Sequence, residues 1–176
     1  MRVIIIGGGS LDMETAVRIL REEKSFVIAA DRGLDYCRLL HILPDVAVGD
    51  FDSVSEGTKN MLTLFEHQGV QIVHLNPIKD DTDMESALSI GLNIGKDGII
   101  ILGGTGTRLD HVLGNMSLLK EADDRGCPAA IYDSKNRIRL ISSGESITIK
   151  KSEQYGKYVS LFPLFGACHG VSATGV

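Results

Sequence analysis

A chain of 176 residues, 43% hydrophobic and 23% charged, is long enough for one domain with a sizeable core, or one domain and a small appendage. A formal net charge of −5 with no Lys/Arg run argues against a nucleic-acid-binding surface, and no stretch is apolar for long enough to span a bilayer. Cys37, Cys127 and Cys168 are odd in number and far apart, which suggests neither a zinc cluster nor a disulfide framework; with no signal peptide in "MRVIIIGGGS", a cytoplasmic protein is expected.

The first predicted strand covers 2–6 and runs into "GGGS". That turn lacks GxGxxG spacing and the Walker lysine, so it is read as a tight strand-to-helix turn within reach of a nucleotide. "LDMETAVRILREE" has helical spacing, and a strand over 26–30 then ends in "DRG", where Asp31 is either a helix cap or a site acid. A strand over 46–48 runs into "GDFDS", a helix is expected over "EGTKNMLTLFEHQ", and a strand over 70–75 leads into "NPIKDDTD". Thr82 and Glu85 form a capping box, so a helix starts at Thr82 with Met84, Ala87, Leu88 and Gly91 on its buried face. A strand over 99–102 ends in "GGTGTR". The next helix puts Leu109, Val112, Leu113, Met116 and Leu119 toward the core, and a last strand covers 129–132.

Alternating strands and helices with near-continuous apolar strands predict an α/β domain on a mostly parallel sheet, residues 1–133. From 134 to 176 the helical period is gone. "RIRLIS", "ESITIK" and "KYVSLFPL" read as strands of a separate β-unit, with "GACHGVSATGV" looking unfinished, so the unit is expected to be truncated.

Ligands of open parallel sheets bind outside the carboxyl ends of the strands, and the acids of this chain collect there. Asp50 and Asp52 form a DxD at a strand end, a pattern that suits Mg2+ and its hard oxygen ligands; the plainer reading is a solvated, capped turn. Asp80, Asp81 and Asp83 surround the start of the Thr82 helix. A helix N-terminus favours acids by about 0.3–1 kcal/mol each, which accounts for one or two of the three. Lys79 offsets their charge or meets a phosphate. Glycines such as Gly104 let backbone N–H groups approach phosphate oxygens, and Arg108, His111 and Asn115 form a polar stripe directly behind that loop.

"ADRG", "GDFDS", "KDDTDMESAL" and "GGTGTRLDHVLGN", in this order, resemble the thiamine pyrophosphokinase family. The resemblance implies a Rossmann-like α/β nucleotide domain, a C-terminal all-β sandwich-type domain and a homodimer. It also implies transfer of the pyrophosphoryl group of ATP to the hydroxyl of thiamine, giving thiamine diphosphate and AMP. Carried over by position, Asp50, Asp52, Asp80 and Asp83 match the acids that hold Mg2+ and the nucleotide phosphates. Arg108, Asp110, His111 and Asn115 match the segment lining the ATP site, and Asp31 matches the acid of the family's ADGG. Lys79, Thr82 and Gly104 complete the expected nucleotide contacts. Arg32 departs from the family's glycine. Asp83 or Asp110 is expected to accept the hydroxyl proton. Rival readings are a diphosphokinase for another hydroxymethyl heterocycle such as a pterin, a DxD phosphatase, and a non-catalytic nucleotide sensor.

Overall fold

Runs of Ile, Val and Ala build the centre of the molecule, because β-branched side chains suit a pleated surface that is buried on both faces. The computed structural model describes residues 1–22, 24–76, 82–95, 97–164 and 166–175. Seven strands make one sheet: β1 (Arg2–Ile6), β2 (Ser25–Ala30), β3 (Val46–Gly49), β4 (Gln71–His74), β5 (Ile99–Leu102), β6 (Ala129–Tyr132) and β7 (Arg137–Arg139). Their spatial order is β4-β3-β2-β1-β5-β6-β7, and every pairing is parallel except β6 with β7. The six strands read from sequence are all present, with ends shifted by at most one residue. From β1 the chain steps outward through β2, β3 and β4, then returns to pair β5 on the other side of β1. That reversal is a topological switch point.

Helices cover both faces. On one face, Ala16 and Ile19 of α1 (Met13–Glu22), Leu34 and Cys37 of α2 (Gly33–Leu39) and Phe65 of α4 (Leu62–His67) pack on Ile4, Ile6, Ala29 and Ala47. On the other, Ala87 and Leu88 of α5 (Asp83–Ile94) and Leu118, Leu119 and Ala122 of α6 (Leu109–Asp124) pack on Val3, Ile5, Ile28 and Ile101. Val3 to Ile6 are fully buried, and each such side chain contributes about 1.5–3 kcal/mol relative to exposure.

Two helical expectations change. "EGTKNMLTLFEHQ" forms α3 (Glu56–Lys59) and α4 rather than one helix, because the Met61 N–H bonds the Thr58 carbonyl three residues back (2.9 Å) and tightens the backbone there. On α6 the core-facing stripe starts later than its spacing suggests. Leu109 and Leu113 are 73% and 59% exposed, Met116 is partly buried against the core, and full burial begins at Leu118.

The stretch expected to open the β-unit joins the first sheet instead. Asp133 Oδ1 accepts the backbone N–H groups of Lys135 (2.8 Å) and Asn136 (2.7 Å), which turns the chain and lays β7 antiparallel on β6. Among the described residues from 140 onward there is one 3-10 turn, Lys151–Glu153, and no strand. "ESITIK" and "KYVSLFPL" keep their alternating sequence but form no ladder. Period-two patterning marks a face to be buried, yet a strand forms only where its N–H and C=O groups meet a partner edge.

Candidate active site

Three acids from three elements meet at the carboxyl edge of the sheet. Asp31 follows β2, Asp50 follows β3 and Asp83 opens α5; each offers an oxygen within 4.8 Å of the others. The strand register brings the first two together. Ala30 pairs with Val48, and the Asp31 N–H continues the ladder to the Val48 carbonyl at 2.8 Å. A side chain at Gly49 would start only 3.1 Å from Asp31 Cα, so glycine permits this approach. The capping box expected at Thr82 delivers Asp83: Glu85 N–H donates to Thr82 Oγ1 (3.2 Å), and Thr82 N–H donates to Glu85 Oε2 (2.5 Å). Thr82 therefore caps α5 with the hydroxyl expected to face a nucleotide.

The turn between the two DxD acids is strained. Phe51 has φ 59° and Asp31 has φ 45°. Aspartate tolerates the left-handed region, but for a bulky residue it costs on the order of 1–3 kcal/mol and persists only when the surroundings enforce it. Here the Phe51 ring is buried and meets His74 edge-on, with centroids 5.3 Å apart. Burying the aromatic residue forces both flanking acids outward.

The two Asp31 oxygens differ. Oδ2 accepts the Ser53 hydroxyl, while Oδ1 is buried and has no hydrogen-bond partner among the described residues. A buried carboxylate oxygen without a donor calls for a partner beyond the described residues, and a cation supplies one. Asp52 stands outside the trio. It is exposed, its N–H donates to Asp50 Oδ1 (3.0 Å), and the Asp50 charge pushes its pKa above the usual carboxylate range. Lys79, Asp80 and Asp81, expected beside these acids, lie outside the described residues.

The glycine loop after β1 is the tight turn expected, and it packs on the loop after β5. Gly9 and Ser10 donate their N–H groups to the carbonyls of Gly103 (2.9 Å) and Thr105 (2.7 Å), so the loop after β1 is plugged into the loop after β5. A Cβ at Gly9 would lie 2.3 Å from the Thr105 oxygen, which leaves no room for a side chain. "GGGS" is thus a structural seam, and those two N–H groups are not offered to phosphate. Asn115 Nδ2 donates to the Gly104 carbonyl at 2.8 Å and ties α6 to the same loop. Arg108 forms a two-point pair with the exposed Asp110 (Nη2–Oδ2 2.6 Å, Nε–Oδ1 3.3 Å), which holds the Asp110 carboxyl below its usual pKa. His111 is exposed beside Asp110. The stripe of Arg108, His111 and Asn115 therefore faces the loop and solvent; the acid trio is a separate group.

Sequence reasoning missed a network behind the DxD turn. Asp35 of α2 accepts from Ser55 N (3.1 Å), Ser55 Oγ (2.5 Å) and Thr58 Oγ1 (2.6 Å), and Arg38 Nε donates to Thr58 Oγ1 (2.8 Å). Nothing in the order of these residues signals the contact, since about twenty residues separate its two sides. Partial burial alone would raise the Asp35 pKa, but the hydrogen bonds from Ser55 and Thr58, aided by Arg38, outweigh it and hold the carboxyl low. Asp133, which also accepts the Thr105 hydroxyl (3.1 Å), was missed likewise. A cavity of about 650 Å³ lies at the opposite edge of the sheet, among Arg2, Asp97, Cys127, Leu140 and Ile147. It contains none of Asp31, Asp50 and Asp83, and parallel sheets bind ligands at the other end.

Residues 17–131 match the family described as thiamin pyrophosphokinase, catalytic domain. The chain belongs to the thiamin pyrophosphokinase family. It is 30% identical over 172 residues to the thiamine pyrophosphokinase of Bacillus subtilis (strain 168), covering 97% of this chain and 78% of that protein. A crystal structure of thiamine pyrophosphokinase from Bacillus subtilis superposes with a TM-score of 0.69 at 29% identity, covering 79% of this chain and 64% of that one. One from Geobacillus thermodenitrificans gives 0.66 at 33% identity, covering 78% and 61%. The chain thus spans slightly less than two thirds of these solved relatives. The matched region takes in Asp31, Asp50, Asp83 and the loop after β5, so the acid trio falls inside the catalytic domain.

Proposed function

We propose that this chain transfers the pyrophosphoryl group of ATP to the hydroxyl of thiamine, giving thiamine diphosphate and AMP. The observation that carries the reading is the meeting of Asp31, Asp50 and Asp83 at the carboxyl edge of the sheet, within the region matched to the family's catalytic domain. Hard carboxylate oxygens in this number, one of them buried without a donor among the described residues, fit Mg2+ as the ion that accompanies ATP. Asp31, Asp50 and Asp83 would hold it, with Asp52 beside them and Asp80 as a further candidate. When bound, the ion neutralises charge on the phosphates and lets three repelling carboxylates stay together.

The chain's own groups do the rest. Phe51 anchors the turn, Ser53 orients Asp31, and Asn115 fixes the loop at Gly104 beneath the expected path of the phosphates. Arg108 meets a phosphate by exchanging Asp110 for it, a trade between two anions at an exposed guanidinium. Lys79 and His111 remain candidate nucleotide contacts. Of the two acids expected to take the hydroxyl proton, Asp83 lies within the acid group, whereas both oxygens of Asp110 are engaged by Arg108. A cytoplasmic homodimer goes with this reading, with the residues after β7 belonging to the second, β-rich unit. Tyr158 and Phe162 are 89% and 81% exposed, and a second copy is the surface suited to cover them. No helix among the described residues is long and apolar enough to cross a membrane.

The test is a comparison of acceptors. AMP release from ATP and Mg2+ is expected to depend on thiamine and not on a hydroxymethyl pterin. The reverse preference would transfer the site to the rival diphosphokinase, and binding of ATP without AMP release in either case would favour a sensor.

A further inference from the structure

Besides the buried Phe51 ring and the Lys59 ammonium, which donates to the Asp52 carbonyl (2.9 Å), two serine contacts hold the loop that carries the DxD acids, and only one of them belongs to the acid group. Between β3 and α3 the chain runs through Asp50, Asp52 and Ser53 to Ser55. Ser53 bonds Asp31, a carboxylate that a cation would also claim. Ser55 bonds Asp35 through both its N–H and its hydroxyl, and Thr58, fully buried, adds a third bond from the first turn of α3. Asp35 itself sits on a fixed support. α2 begins at Gly33, where a Cβ would lie 1.8 Å from the Ile6 carbonyl oxygen, so this helix is pressed directly onto the end of β1. Asp31 and Asp35 thus flank one immovable point, and the loop bearing Asp50 is fastened to the same point.

We propose that Asp35 is a positioning residue: by accepting from Ser55 and Thr58 it holds the 50–55 loop so that Asp50 stays beside Asp31 and Asp83 against their mutual repulsion. The need for such a strap follows from the charges. Three carboxylates within 4.8 Å push the loop away whenever no cation is present, and the Ser53 bond ties the loop only to one of the three repelling groups. The Asp35 contacts remain in both situations. Asp35 does not touch the acid trio and acts only through the loop. The inference rests on the proposed cation-dependent reaction for its kinetic arm only.

The experiment uses Asp35→Ala, Asp35→Asn and Ser55→Ala in the whole chain. Hydrogen exchange without any divalent cation is read first: amides 52–58 should exchange about tenfold or more faster in Asp35→Ala, the scale of losing one charge-assisted hydrogen bond, while β1 and β5 stay protected. The Mn2+ concentration for half-saturation, measured by titration without nucleotide, should rise by about the same factor. In turnover, the Mg2+ requirement should rise while the KM for ATP at saturating Mg2+ changes less than about twofold. Asp35→Asn, which keeps an acceptor for both hydroxyls but loses the one for the Ser55 N–H, should recover part of each effect, and Ser55→Ala should show a smaller version should Asp35→Ala fail to fold. Unchanged exchange over 52–58 and unchanged Mn2+ binding in a folded Asp35→Ala or Ser55→Ala would overturn the proposal. Absence of turnover in the unmodified chain would count against the proposed reaction, and the exchange and Mn2+ measurements would still decide the role of Asp35.

Discussion

Asp50→Asn should make the metal-free protein more stable while disabling it. Three carboxylates lie with oxygens within 4.8 Å, and the substitution removes two of their three repulsions. At that separation each pair costs about 1 kcal/mol at the dielectric of water and about 3.5 kcal/mol at an effective constant of 20. All three groups are half-buried, so the lower part of this range applies, and a net gain of about 1–2 kcal/mol is expected. The local structure survives, because the amide oxygen of asparagine still accepts the Asp52 N–H that Asp50 accepts now. For a chain of this size the gain corresponds to a Tm higher by about 2–8 °C. Thermal unfolding in a chelator reads it directly. Adding Mg2+ and ATP at about a hundred times the Kd should then stabilise the unmodified chain by about 2.7 kcal/mol and leave the variant almost unmoved, reversing their order. A variant less stable than the parent in chelator, or one with the same response to Mg2+ and ATP, would refute the reasoning that these acids repel until a cation joins them.

Arg108→Ala should barely move Tm, because its ion pair with Asp110 is exposed, while the KM for ATP rises roughly tenfold or more; an unchanged ATP dependence in steady-state kinetics would remove Arg108 from the site. Asp35 is held below its usual pKa, so between its folded and unfolded values the folded state binds fewer protons. Its contribution is complete above the unfolded pKa of about 3.9 and is lost as pH falls through the lower folded value. Urea unfolding from pH 6 down to about 2.5 should therefore show a shallower acid loss in Asp35→Asn than in the parent, and equal slopes would contradict this assignment. Gly33→Ala should destabilise by about 3 kcal/mol or more, since its Cβ would start 1.8 Å from a backbone oxygen that cannot withdraw; denaturant midpoints check it, and a loss under 1 kcal/mol would show that α2 is free to shift.

The sheet was legible because each buried strand is a short, mostly apolar run closed by a glycine or an acid. The Thr82 helix was legible because its capping box is local. Placing the acids at the strands' carboxyl edge needed only the alternation of strands and helices. That Asp31, rather than Asp52, completes the trio was not legible. It depends on the pairing of Ala30 with Val48, whereas two residues apart on a turn is no guide to distance. The seam between the glycine loops was not legible for a related reason: Gly9 makes room for the carbonyls of Thr105 and Gly103, Gly103 makes room for that of Gly7, and glycines that serve backbone packing look the same in sequence as glycines that serve a phosphate. Asp35 with Thr58 and Asp133 with Thr105 are polar contacts between distant segments and leave no periodic trace. Leu109 and Leu113 have core spacing without a core beside them, and the alternating segments after 140 have strand spacing without a partner edge.

The phosphorus spectrum of a reaction with ATP, Mg2+ and thiamine tests the account most directly, because it separates transfer of two phosphoryl units from transfer of one. The account predicts AMP and thiamine diphosphate in equal amounts, with the β- and γ-phosphorus of ATP arriving together on thiamine, and almost none of either product from Asp50→Asn. ADP with thiamine monophosphate, or AMP formed equally well without thiamine, would contradict it.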